Sequence, residues 1–139
     1  MSRRISRENA MKILYQFQFR DDDVAGQIEV FINELDEVDR LQKDFFLDIV
    51  HGVVDNKKQI DELIEVYTKG WSIERMPKVD LAIMRLAIYE LLHRDDIPSN
   101  VSINEAVELA KKYSTEQSGN FINGILGKIL KCIEPTKEN

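Results

Sequence analysis

Between Val79 and Leu92 the chain carries a stretch that only a protein interior can accommodate. Val79, Leu81, Ala82, Ile83, Met84, Leu86, Ala87, Ile88, Leu91 and Leu92 cover nearly every side of a helix. Such a helix must be wrapped by others, so it is expected to be the central pillar of the C-terminal half. Pro77 stands at its expected first position, where a missing N–H costs nothing. Asp95-Asp96-Ile97-Pro98 marks its end.

The flanking sequence has the same period. Ala10, Leu14 and Phe17 mark one face of a first helix, and Ile28, Phe31, Ile32 and Leu35 mark a second. Phe45, Ile49 and Val53 recur at four-residue steps, and Ile60, Leu63, Ile64 and Tyr67 complete an i, i+3, i+4, i+7 pattern. Val24–Gly26 and Gly70–Pro77 read as connections. The second separates an N-terminal half, about 3–69, from a C-terminal half, about 72–132. Ser102 and Glu105 have the spacing of a capping box with Ser102 as N-cap, and Ile103, Ala106, Val107 and Ala110 supply the buried face behind it. A last helix is expected from about Glu116 towards Cys132, with Phe121, Ile125 and Ile129 in line, followed by a polar tail over 133–139. Gly124 lies inside that helix, where glycine is costly, so another helix is expected to approach it closely. No segment alternates like a strand. The chain reads as all-α, a bundle of about seven helices.

Composition narrows function by exclusion. With 43% hydrophobic and 32% charged residues, the 139-residue chain reads as a soluble globular protein able to bury a substantial core. A single cysteine, Cys132, cannot form an internal disulfide, and no apolar run approaches the roughly 18 residues of a membrane span. The charged N-terminus lacks the apolar run of a secretion signal, so a cytoplasmic protein without a membrane role is expected. His51 and His93 are far apart, and neither has a metal-ligand spacing with Cys132. There is no Gly-rich phosphate loop, nucleophile elbow or cysteine–histidine pair. Nothing calls for a metal, a cofactor or a catalytic residue, and binding is favoured over catalysis.

Charge suggests what is bound. The first twenty residues hold Arg3, Arg4, Arg7, Lys12 and Arg20 against Glu8 alone, whereas 21–67 hold fourteen acids and four bases. The whole chain carries a net charge of −6. A cationic patch kept on an acidic protein points to a specific polyanion, because the rest of the surface repels nucleic acid. Arg3 and Arg7 are four residues apart, so in a helical turn they project from one side with Arg4 flanking. Arginine suits phosphate through its bidentate fork and through counterion release. The alternative is a frayed, solvated terminus.

The C-terminal motifs are specific. Val79-Asp80-Leu81-Ala82-Ile83-Met84-Arg85-Leu86-Ala87-Ile88-Tyr89-Glu90-Leu91 is followed by Ile97-Pro98. Next come Val101-Ser102-Ile103-Asn104-Glu105-Ala106-Val107-Glu108-Leu109-Ala110-Lys111-Lys112-Tyr113 and Phe121-Ile122-Asn123-Gly124-Ile125-Leu126. With the opening Arg3-Arg4-Ile5-Ser6-Arg7-Glu8 and Ala10, Leu14 and Tyr15, these residues resemble the NusB family of bacterial transcription antitermination factors, from about Arg3 to Leu130. The resemblance implies two small helical subdomains and a non-enzymatic RNA-binding adaptor. It implies binding to the boxA element of ribosomal RNA leaders together with NusE, a small-subunit ribosomal protein, within an RNA polymerase antitermination complex. Both monomers and homodimers occur in such a family.

Arg3, Arg4 and Arg7 are the first candidates for RNA contact. Tyr15 either packs inward or offers its ring to a base, as single-stranded RNA is commonly read by stacking. Gln117, near the start of the last helix, could reach RNA beside free helix N–H groups. Phe121 fits core packing by its spacing, whereas the resemblance implies a place near RNA. Arg85 and Glu90 read as a structural ion-pair set with each other or with Glu105. Asp80, near a helix start, either joins that set or stays accessible, and the resemblance implies a place near the protein partner. The acidic middle would suit a basic partner. Two other functions fit a helical chain of this kind. One is an accessory domain of an RNA methyltransferase system, and the other is a protein–protein scaffold without RNA, against which the arginines argue.

Overall fold

The computed structural model describes residues 2–69 and 72–137, with side chains as far as Ile133. Eight α-helices are present among the described residues: α1 (Arg3–Phe17), α2 (Val24–Asn33), α3 (Glu37–Leu41), α4 (Asp44–Asp55), α5 (Lys57–Thr68), α6 (Lys78–His93), α7 (Ser99–Tyr113) and α8 (Glu116–Lys137). A 3₁₀ turn, Ile73–Arg75, precedes α6. No strand occurs among the described residues. The expected connection over Gly70–Pro77 holds that turn, while Gly70 and Trp71 lie outside the described residues.

The pillar is α6. Every residue from Asp80 to Leu91 is buried, and α1, α4, α5, α7 and α8 all pack against it. Its three charged residues within that stretch are spaced by five, and five residues advance a helix by about 140° beyond a full turn. Asp80, Arg85 and Glu90 therefore point in three directions, and each meets a different neighbour. The Ser118 hydroxyl on α8 donates to Asp80 at 2.8 Å. Arg85 donates twice to Asp61 on α5, at 2.9 Å each. Glu90 accepts from Arg7 on α1 and from Ser102 on α7. Arg85 and Glu90 are structural, with partners other than the expected ones.

Several local expectations are corrected. Val24–Gly26 is the first turn of α2: Asp23, at φ 50°, caps it by accepting from the Gly26 N–H at 3.1 Å. A Cβ on Gly26 would lie 2.1 Å from that carboxylate, so the cap requires glycine. Pro77 is the N-cap of α6 and not its first residue. Ser102 is not an N-cap, because α7 already starts at Ser99, three residues earlier, with Pro98 as its N-cap; the Ser102 hydroxyl is buried and donates to Glu90 at 2.8 Å. The last helix passes Cys132 and continues to Lys137, so much of the expected tail is helical. Gly124 is exposed, and a Cβ there would meet nothing within 4 Å. The close approach occurs instead at Gly52 on α4, where a Cβ would sit 2.1 Å from the Tyr89 ring.

Candidate nucleic-acid interface

Ser2 starts α1 by accepting the Ile5 N–H at 3.2 Å, so the arginines stand on an ordered first turn. α1 runs antiparallel to α6. Its arginine end lies by Glu90 and Asp96, and beyond its other end the Gln18 amide donates to the Lys78 carbonyl at 2.7 Å.

The three arginines have three different surroundings. Arg3 and Arg7 do share a side of α1, and both guanidinium groups rest on the Phe45 ring, at 4.7 and 5.2 Å from its centre, as Arg94 does at 5.1 Å. That side turns inward at its second member. Arg7 is only 3% exposed, and it donates twice to Glu90 at 2.8 Å, so its expected outward projection is corrected. A buried guanidinium needs a carboxylate partner, and Glu90 is the one α6 presents there. Arg3 remains half-exposed and lies 3.8 Å from Asp96. Arg4 is outermost, with its side chain 71% exposed, and donates from Nε and Nη2 to Glu105 on α7 at 3.1 and 2.8 Å.

From Arg4 a polar face continues along α1 and α7. Arg4, Glu8, Lys12 and Tyr15 fall within about 80° on one side of α1, by a rotation of 100° per residue. Glu8 accepts from Lys112 at 3.0 Å and, through a short hydrogen bond, from the Tyr113 hydroxyl. Lys12 and Lys112 both lie over the Tyr113 ring, at 5.8 and 5.3 Å. The Tyr113 hydrogen bond, aided by Lys112 and Lys12, holds the Glu8 carboxyl below its ordinary pKa despite partial burial. The Arg4 fork does the same for Glu105. The Arg94 fork pushes Asp96 down to about 2.

Tyr15 lies on the surface, edge-on to the exposed Phe19 with ring centres 5.0 Å apart. Twelve residues of helix separate it from Arg3, about 18 Å, so the arginines and this tyrosine lie at opposite ends of the face. Gln117 is exposed on the first turn of α8, just past Lys111, Lys112 and Tyr113. Phe121, one turn on, is half-buried and packs against the core. With Tyr67, Lys128 and Gly124 it lines a shallow depression between α5 and α8. Asp80 is 3% exposed and accepts from Ser118 on α8, so of its two alternatives the accessible carboxylate is excluded, and its partner is a hydroxyl and not an ion-pair set. Lys112 and Tyr113, a base beside an aromatic residue, join this polar face from α7 and were not among the residues expected there.

A model of the NusB family matches residues 4–131. The chain belongs to the NusB family. The transcription antitermination protein NusB of Acetivibrio thermocellus is 54% identical over 131 residues, covering 94% of this chain and 90% of that protein. The solved T. maritima NusB superimposes with a TM-score of 0.85 at 43% identity, covering 94% of this chain and 92% of that one. A crystal structure of the antitermination factors NusB and NusE in complex with dsRNA aligns at 26% identity with a TM-score of 0.82, covering 94% and 96% of the two chains.

Proposed function

We propose that this NusB-family protein is a cytoplasmic, non-enzymatic RNA-binding factor of transcription antitermination. It holds boxA-type single-stranded RNA together with NusE within the RNA polymerase antitermination complex. The observation that carries this reading is the basic and aromatic face shared by α1 and α7. Arg3 and Arg4 take phosphates at one end, and Lys12 and Lys112 extend the cationic track. Tyr15 and Gln117 stand towards the other end, where a ring and an amide suit unstacked bases. Phe121 borders this end from its depression on α8. Arg7 supports the site from beneath by fixing α1 on α6. Asp80 acts through Ser118, shaping the start of α8 that a protein partner meets. The acidic segment 21–67 offers a complementary surface to a basic ribosomal protein.

Assembly is the whole mechanism, with avidity from several weak contacts and no bond made or broken. Titration of a boxA-like single strand and a scrambled control, with and without NusE, tests it. The boxA-like strand should bind more tightly, and NusE and RNA should strengthen each other by the same factor. Equal affinity for both strands in the presence of NusE overturns the reading.

A further inference from the structure

Both exposed arginines of the α1 end already face a carboxylate, Arg4 through a two-pronged hydrogen bond to Glu105 and Arg3 through an ion pair at 3.8 Å to Asp96. Glu105 lies between the exposed Arg4 and the buried Arg7, whose Nη1 is 3.8 Å away. Asp96 lies between the half-exposed Arg3 and Arg94, which donates to it twice at 2.9 Å. In each relay the inner arginine is anchored elsewhere as well. Arg7 holds Glu90, and Arg94 donates to Asp48 at 2.8 Å. Asp96 is fixed by Arg94, Glu105 is hydrogen-bonded by Arg4 with Arg7 behind it, and the outer arginines are the solvent-exposed members. The Arg4–Glu105 contact is a bidentate fork, the geometry that arginine also offers to phosphate.

We infer that Glu105 and Asp96 are affinity-setting residues of the RNA site, competitors that an RNA phosphate must displace from Arg4 and Arg3. This rests on the reading that these two arginines contact RNA. An arginine freed from its carboxylate costs part of what its phosphate contact gains. Each relay also leaves its outer arginine without a net positive field, so the patch attracts passing polyanions less than its arginine count suggests. Binding then requires the base contacts at the other end of the face, because phosphate contacts alone gain little. Arg4 holds the Glu105 carboxyl below its ordinary range and Arg94 does the same for Asp96, so both stay ionised and compete throughout the neutral pH range.

The test is a double-mutant cycle on the full chain, read by titration of a boxA-like RNA strand over a range of salt. Glu105→Gln keeps the shape and the Arg7–Glu90 contact while removing the competing charge. It should tighten RNA binding by roughly two- to fivefold at low salt, the range that an exposed ion pair spans. The log–log salt slope should change by less than the roughly 0.7 of one single-strand phosphate contact, because Arg4 takes its phosphate in both proteins. In an Arg4→Ala background the same change should have little effect. Asp96→Asn should behave likewise through Arg3. Weaker or unchanged binding of Glu105→Gln overturns the inference and makes Glu105 a positioning residue or a bystander. Equal tightening with and without Arg4 also overturns it, since the effect is then general repulsion. If Arg4→Ala alone leaves wild-type binding unchanged, the interface reading itself fails.

Discussion

Arg4 and Arg7 are one helical turn apart, and each grips a glutamate through the same two-pronged hydrogen bond, yet they belong to different parts of the molecule's physics. The Arg7–Glu90 pair is sealed between α1, α6 and α7 and shares its carboxylate with Ser102. The Arg4–Glu105 pair has its arginine in water. Geometry is therefore silent about role, and burial decides it. A sealed pair cannot exchange partners without exposing a charge to the interior, whereas an open pair exchanges at small cost.

Removing one member of each pair breaks the comparison most directly. Arg7→Ala should destabilise the fold by about 3–5 kcal/mol, because Glu90 is left charged or protonated in the core; urea unfolding measures this. Its RNA binding should fall only as far as the folded fraction falls. A neutral Arg7→Ala would place Arg7 at the surface and end the distinction. The same contrast of sealed and open sites recurs in two glycines. Gly52→Ala should cost about 1–3 kcal/mol, since its methyl meets the Tyr89 ring. Gly124→Ala should stabilise by up to about 1 kcal/mol, because helix propensity improves with nothing in the way. Thermal melts of the two variants should shift in opposite directions.

Arg4→Ala should change stability by less than about 0.5 kcal/mol while weakening RNA binding and reducing the salt slope by about 0.7. A large loss of stability there would make Arg4 structural too. The smallest effect concerns acid. Glu105, Glu8 and Asp96 all have folded pKa values below their ordinary ones, so their contribution to stability is present above the ordinary carboxylate range and is lost as pH falls through the depressed values. For Asp96 that window runs from its ordinary 3.8 down to about 2. Melting temperatures of Asp96→Asn and the wild type should converge across it.

The sequence made the pillar legible because an apolar circumference has no other use. It made α1 legible as a helix with arginines at its head, but not which arginine turns inward. Arg7's fate depends on Glu90, eighty-three positions away, and on the angle at which α1 crosses α6. The Ser102–Glu105 spacing matched a local cap, yet tertiary partners claimed both side chains: Glu90 took the hydroxyl and Arg4 took the carboxylate. Gly124 looked like a contact point because a glycine in a helix invites an explanation, whereas the tight contact fell at Gly52, whose partner Tyr89 lies on another helix. Local signals located helices well. The choice between inside and outside for a polar side chain was made by pairs that no local window contains.

An apolar cylinder surrounded by greasy neighbours has no reason to prefer one rotation about its axis over another. The three charges of α6 supply that reason. A slip of one residue would turn all three by about 100° and carry Asp80, Arg85 and Glu90 away from Ser118, Asp61 and Arg7 together. Each mismatch alone would strand a polar group in the interior, so wrong rotations are excluded three times over. A single-residue insertion in the middle of α6 should therefore be worse tolerated than any one apolar exchange along it. The five-residue spacing acts as a combination that admits one orientation of the bundle, and with it one placement of α1 and its arginine end.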